Sequence, residues 1–420
     1  MVCPITISIQ EMYFIMNAVG IDVSKGKSTV AVLRPFGEVV ASPFDVAHTG
    51  SDLKILADFI KKLPGESKVV MEATGNYYEP IARYLHEQNI FVSVVNPVLI
   101  SDFGGNTLRK PKTDKKDSLK IASFALTYWL ELKKYVPQED LRKSLKLLNR
   151  QYQQASKLKT MMNNNLISLL DLTFPGINKL FTSSSRESDG HEKWVDFVLA
   201  FSHCDMISKL TIKTFSKKYK KWCASNSYYF TEVACERIYD YSKDCISSVS
   251  LEESTAFAVI QAAKMLNSAI ENCHAIQLEM NRIAAQLPEY DTVMSMYGVG
   301  KSVGPQLIAE IGDTRRFHSR KAITAYFGYD SENNDSGKKV SISNPMTKKG
   351  SGALRRTLFI IMQVLLQTKP IDNPVYDFLI KKQSEGKHYY SYMNAAANKF
   401  LHIYYAKVKE VLIATEDTSM

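Results

Sequence analysis

Residues 17–44 read NAVGIDVSKGKSTVAVLRPFGEVVASPF. Three β-rich runs, NAVGIDVS, STVAVLRP and GEVVASPF, are broken at Lys25–Gly26–Lys27 and at Pro35–Phe36–Gly37. Short breaks of that composition predict a three-strand meander. Downstream the period changes: Ser51–Lys62 places Leu53, Leu56, Phe59 and Ile60 at helical spacing and stops at Pro64–Gly65. KVVMEAT reads as a short buried strand, Tyr78–Gln88 as a second helix, FVSVVNP as a fifth strand, and a helix runs from about Asp114 through Tyr128. The order βββαβαβα, hairpins first and crossovers later, predicts an α/β domain over 17–130, a mixed sheet with helices on its faces.

The rest of the chain reads as helical. Leu141–Leu172 is polar and basic with recurrent Leu and Met, and Leu251–Leu287 repeats Ala256, Ile260, Ala263, Leu266 and Ile270 at helical spacing. Paired stretches of this kind predict a hairpin or coiled coil, against each other or against a second subunit. They delimit a helical region over 131–287, with an inserted module at about 174–250 that holds the loop SSSRESDG and most of the cysteines. From 288 to 420 come MYGVGKSVGPQLIAEIGD, two helical pieces about a Gly-x-Gly hairpin, then FHSRKAITAYFG, a polar basic loop, and the apolar helix ALRRTLFIIMQVLLQ.

A chain of 420 residues with 45% hydrophobic and 23% charged residues suits two or three globular domains and excludes wholesale disorder or a fibrous fold. Lys+Arg at 53 against Asp+Glu at 43 leaves a formal charge of +10, which favours a polyanionic partner such as nucleic acid. Cys3, Cys204, Cys223, Cys235, Cys245 and Cys273 contain no C-x-x-C pair, so neither a zinc site nor a disulfide framework is indicated. Residues 1–16 read as an N-terminal extension; they carry Glu11 and lack the basic region and cleavage site of a signal peptide. Nothing later is apolar for long enough to span a bilayer, so a cytoplasmic protein without membrane contact is expected.

Four carboxylates carry the chemistry. Asp22 sits between Ile21 and Val23 in a buried-type run, where an ionised group is costly unless paired or metal-bound; it also reads as a cap on the Lys25–Gly26 turn. Glu72 ends the fourth strand, where open sheets collect ligands, though alone it reads better as a surface residue. Asp114 and Asp117, three apart in PKTDKKDSLKIA, share one helix face. They also suit an N-cap and first turn, yet Lys112, Lys115 and Lys116 crowd them as a phosphate site would. Together the four match what a nuclease on a ribonuclease-H-like sheet needs: hard oxygen ligands for Mg²⁺, with no His or Cys to suggest zinc.

The stretches GIDVSKGKSTVAVL, VVMEATGNYYEPIARYL and VNPVLISDFGGNTLRKPKTDKKDSLKIA, with GVGKSVGPQLIAEIGD and SGKKVSISNPMTKKGSGALRRTLF, resemble the DEDD transposases of the insertion-sequence one-ten family, relatives of the Piv/MooV invertases. The resemblance covers 17–125 and 290–365 and implies a RuvC-like domain followed by a mostly helical C-terminal transposase domain. It implies a metal-binding tetrad of Asp22, Glu72, Asp114 and Asp117 for Mg²⁺, with Mn²⁺ as a substitute. It further implies a serine nucleophile, Ser336 in Asn334–Asp335–Ser336–Gly337, which on its residues alone reads as a turn. Ser331 is the runner-up, because Phe327–Gly328–Tyr329–Asp330 replaces the family's Gly-Leu-x-Pro.

Gly298 and Gly300 resemble a helix-hairpin-helix turn that holds a phosphate, or else simply pack two helices. Lys110, Lys112, Lys115, Lys116, Lys338, Lys348, Lys349, Arg355 and Arg356 are candidate phosphate contacts, or a solvated basic face. Such contacts read little sequence, and the resemblance supplies the missing specificity as a structured bridge RNA pairing with donor and target DNA. It also implies a tetramer, a dimer of dimers, with contacts placed on 141–172 and 251–287. Competing readings are a water-using junction resolvase, a nucleic-acid-binding protein without catalysis, and a sugar-kinase-like ATPase. The last lacks the later Asp-x-Gly-Gly phosphate loop.

Overall fold

The computed structural model describes residues 15–103, 113–137, 139–330 and 346–419, and the chain divides into two compact units, Met1–Gln138 and Glu139–Met420. The first carries β1 (Met16–Val23), β2 (Lys27–Arg34), β3 (Glu38–Ala47), α1 (Gly50–Lys62), β4 (Glu66–Glu72), α2 (Tyr78–Glu87), β5 (Phe91–Val95), α3 (Pro97–Phe103) and α4 (Asp114–Thr127). The sheet order is β3-β2-β1-β4-β5. β1 pairs antiparallel with β2 and β2 with β3, whereas β1–β4 and β4–β5 are parallel. The expected meander and mixed sheet are present. The short helix α3, opened by Pro97, was not anticipated; seven residues are too few to show a period.

β1 is central and buried on both faces. On one, Val19, Ile21, Val30, Val32, Val69 and Met71 pack against Leu53, Leu56 and Ile60 of α1 and Ile81 and Leu85 of α2. On the other, Ala18, Leu33 and Val70 meet Ile121, Ala122 and Ala125 of α4. Gly20 lies between Ala18 and Asp22 on the α4 side. A Cβ there would stand 2.2 Å from the Ser118 carbonyl oxygen and 2.4 Å from the Ala122 nitrogen, so the helix backbone rests directly on the strand.

The second unit is helical among its described residues: α5 (Asp140–Thr173), α6 (Lys193–Ala200), α7 (Asp205–Ser208), α8 (Ile212–Ser225), α9 (Glu232–Asp244), α10 (Glu253–Ala284), α11 (Tyr290–Met294), α12 (Gly304–Ile311), α13 (Arg320–Tyr326), α14 (Gly352–Thr368), α15 (Pro374–Ser384) and α16 (Tyr389–Ser419). The two long helices α5 and α10 pack against each other. One end of this hairpin (Leu166, Leu170, Ala263, Leu266) shares a core with Phe197, Phe215 and Tyr219 of the module formed by α6–α9. The other end (Leu145, Met280, Ile283) shares a core with α12, α14 and α16. No helix among the described residues is long and apolar enough to cross a membrane.

Candidate functional site

Strand register assembles the acids. Asp22 of β1 pairs with Thr29 of β2, and Thr29 pairs with Asp45 of β3. On the other side Ile21 is opposite Met71 of β4, so the next residue along each parallel strand sets Asp22 beside Glu72. Directly paired residues point to one face of a sheet. A polar row, Asp45–Thr29–Asp22–Glu72, therefore crosses four strands on the face that carries Ala18, Gly20 and Val70 below α4. Asp22 and Glu72 are half-buried.

Ala122 and Ser118 of α4 lie on Gly20, and Asp114 is near Lys27 at the start of β2, so the first turn of α4 lies toward the Asp22 end of β1. The cap is Thr113, whose hydroxyl accepts from the Lys116 N–H at 3.4 Å, which leaves Asp114 and Asp117 inside the first turn rather than capping it. Asp114 is exposed and Asp117 half-buried. The helix start lies within electrostatic reach of the same edge of the sheet: Asp114 adds a minor upward push on Lys27, and Lys115 a minor downward one on Asp45. The structure thus brings Asp22 and Glu72 together on adjacent strands and sets the Asp114/Asp117 turn over their face.

Asp45 and Lys27 escaped the sequence reading. The Asp45 carboxylate accepts from the Thr29 hydroxyl at 2.8 Å and from Lys27 Nζ at 3.1 Å. Those two hydrogen bonds hold it below the ordinary carboxylate range, and the same partner raises Lys27. Regular counting back from the second turn would have set Thr29 opposite Pro43; two register shifts in the β2–β3 pair bring Asp45 there instead. The row offers oxygen donors and a nearby ammonium group, a set suited to hard divalent cations and phosphate rather than to zinc.

Lys115, Lys116, Lys348, Lys349 and Arg356 are exposed. Arg355 is half-buried and donates from Nη1 to the Phe327 carbonyl at 2.9 Å, so part of its fork serves the fold. Gly298 adopts a left-handed φ of 81° against Ile361, 3.1 Å from where a Cβ would stand, whereas Gly300 opens to solvent. Packing therefore explains Gly298, and the exposed backbone of the turn lies at Gly300. Lys110, Lys112, Ser331, Ser336 and Lys338 lie outside the described residues.

The two flanks of residues 331–345 are joined. Thr347 donates its N–H to the Asp330 carbonyl at 3.0 Å and its hydroxyl to Asp330 Oδ1 at 2.7 Å. Behind them Ser351 caps α14 and donates to the buried Glu310 carboxylate at 2.5 Å, which also accepts from Asn149 at 2.7 Å. The base of the serine-bearing segment is tied to α5 and α12 by these bonds.

Two family models match the chain. One, described as a transposase, matches residues 19–175, and the other, described as the transposase IS116/IS110/IS902 family, matches residues 290–377. The pilin gene-inverting protein of Moraxella bovis is 19% identical over 343 residues, covering 81% of this chain and 80% of its own length. The sheet-bearing unit and the helical C-terminal part are thus both matched within one class, transposases and recombinases that act on DNA. The chain belongs to the IS110 family of that class.

Proposed function

We propose that the protein is an RNA-guided DNA recombinase that excises and inserts its own element, and that its first unit is a RuvC-like, ribonuclease-H-like nuclease domain. One observation carries the proposal: register and helix packing bring Asp22, Glu72 and the Asp114/Asp117 turn to one face at one end of the sheet. In this reading the four carboxylates hold Mg²⁺, or Mn²⁺ in its place. A bound divalent cation would supply charge stabilisation at the scissile phosphate. Lys115 and Lys116, exposed on the same turn, neutralise flanking phosphates. Sequence choice rests with a structured bridge RNA, because phosphate contacts read little sequence.

The Ser336 hydroxyl attacks a DNA phosphodiester. A serine oxygen–phosphorus bond forms as a deoxyribose oxygen–phosphorus bond breaks; the serine proton passes to a base and the released sugar oxygen is protonated. The phosphodiester is conserved as a phosphoserine link, so strand rejoining needs no ATP. The assembly is a dimer of dimers in which one subunit's acids face another's serine. Exposed Leu147, Leu158 and Met161 on α5, with Met265 and Leu278 on α10, support contacts along that hairpin.

Ser336→Ala tests the reaction class. With a nicked substrate that traps intermediates, the wild-type chain is expected to form a covalent protein–DNA adduct and the variant none. If Ser336→Ala still cuts at an unchanged rate without an adduct, the enzyme is a water-using resolvase and the recombinase mechanism fails.

A further inference from the structure

Where α15 gives way to α16, aromatic rings stand in solvent. Residues 387–391 read Lys-His-Tyr-Tyr-Ser, and every one of them is exposed, Tyr390 at 60%. The His388 carbonyl accepts from the Ser391 N–H at 2.8 Å and the Tyr392 N–H at 3.1 Å, which fixes the stretch as the first turn of α16. Beneath it Tyr392 is buried, and Phe359 of α14 packs against the same core. The Tyr390 ring lies 5.9 Å from Phe359, centroid to centroid, and tilts from it by 25°. His388 lies 5.8 Å from Tyr390 at a tilt of 32°. Tyr389 stands edge-on to Phe359 and Tyr390, at 80° and 75°. Near-parallel rings braced from the side leave π-surface facing water, an apolar exposure that marks a contact site.

The surroundings are basic. Lys382 bonds Glu385 at 2.7 Å and, with lesser contributions from Lys381 and Lys387, holds that carboxyl below the ordinary range. No second acid occurs from 378 to 399. Three lysines therefore face one carboxylate beside the rings. On α14, Arg356 is exposed one turn before Phe359, a spacing that shares a helix face. Ser351, which caps α14 behind the joined flanks of residues 331–345, precedes Phe359 by about 12 Å along the helix axis.

We propose that Tyr390, with His388 and Phe359, forms a stacking platform for an unpaired base of the DNA strand that the protein cuts, Lys387 and Arg356 meeting its phosphates. The choice of strand rests on the recombinase reading above; the platform itself rests on the rings and their charge. Excess positive charge beside the rings favours a polyanion over an apolar protein surface. A duplex hides its base faces in its own stack, so only unpaired nucleotides can use exposed rings, and they do so whatever their sequence. The nearness of α14's start to the serine-bearing segment favours the reacting DNA strand as the occupant. Strand exchange requires a cut strand to leave its partner, and a base stacked on Tyr390 is kept from re-pairing. Tyr390 is in this sense a positioning residue.

The test titrates the full chain into a single-stranded DNA oligonucleotide carrying 2-aminopurine, in EDTA so that nothing is cut. Stacking on the protein is expected to quench the 2-aminopurine fluorescence. Tyr390→Ala is expected to remove most of that quenching and to weaken single-strand binding about five- to 150-fold, with duplex binding unchanged. Tyr390→Trp and Tyr390→Phe are expected to restore both. Lys387→Ala should keep the quenching at saturation while lowering the salt slope by about 0.7. Tyr390 is exposed, and circular dichroism checks that its variants fold. Wild-type affinity and quenching in Tyr390→Ala overturn the platform. So does a change in sedimentation without a change in binding, which would make the rings a contact between copies of the chain. A Tyr390-dependent preference for the same sequence as RNA overturns the assignment to DNA. Because the readout needs neither cation nor cleavage, its failure leaves the Ser336 adduct untouched. A chain that stacks the base but forms no adduct keeps the platform and loses the recombinase mechanism.

Discussion

Asp22 places a carboxylate on the central strand of a sheet whose neighbouring side chains, Ile21 and Val23, are buried. Fully burying side chains of that kind contributes about 1.5–3 kcal/mol each, enough to hold the strand in place around one charged group at its end. The same tolerance makes the acid replaceable without unfolding. Asp22→Asn and Glu72→Gln are therefore expected to keep the circular dichroism of the wild type while strand cleavage falls by about 10²-fold or more, the scale of losing one preorganised electrostatic group. Full activity in either variant would remove the carboxylate row from the mechanism. Asp45 sets a useful contrast: Thr29 and Lys27 already occupy it, so Asp45→Asn is expected to perturb the sheet edge more than the reaction.

Among the elements, α4 reaches the acids only because Gly20 lets it lie on β1. Gly20→Ala would force the Ser118 carbonyl and the helix backbone outward, an overpacking that costs about 1–3 kcal/mol. The thermal midpoint should fall, and cleavage should fall further than the lost stability explains, because Asp114 and Asp117 move with the helix. Equal stability and equal cleavage would show that the close approach does not position the turn. In the α6–α9 module, Arg186 forks onto Asp189 with a 2.5 Å contact to Oδ2. The hydrogen bond from Arg186 lowers Asp189 from 3.8 to about 2. A depressed carboxyl contributes stability above its unfolded value and loses it as pH falls through the folded one. The module is thus expected to lose stability as pH drops from about 3.8 to about 2. A carboxyl NMR titration should show Asp189 returning to the ordinary range in Arg186→Ala.

These elements were largely legible beforehand. The meander, α1, β4, α2, β5, α4 and the two long helices all have apolar residues spaced at the period of their own backbone, and such periods survive any tertiary context. What escaped was nonlocal or short. α3 has too few residues for a period, and Asp45 joins the row only through strand pairing. The cap on α4 is one residue earlier than Asp114, a distinction set by the extended backbone of Thr113.

For the whole molecule, a formal charge of +10 implies nucleic-acid binding dominated by counterion release. If Lys348 contacts a phosphate, Lys348→Ala should weaken DNA binding about uniformly across sequences and lower the slope of log K against log salt by about 1. An unchanged slope would assign that lysine to a solvated face. The two units contribute differently to the proposed reaction: the first carries the acids on a sheet, and the second carries a segment whose base is closed by Asp330 and Thr347.

Sequence alone determined the strands of the sheet and the longer helices, the order of the meander and crossovers, and the family to which the chain belongs, because period, turn chemistry and motif spacing are local properties. Only the tertiary structure decided that Asp22 stands beside Glu72 and that Gly20 admits α4. Register and helix docking depend on residues far apart along the chain, and no window of sequence contains both partners.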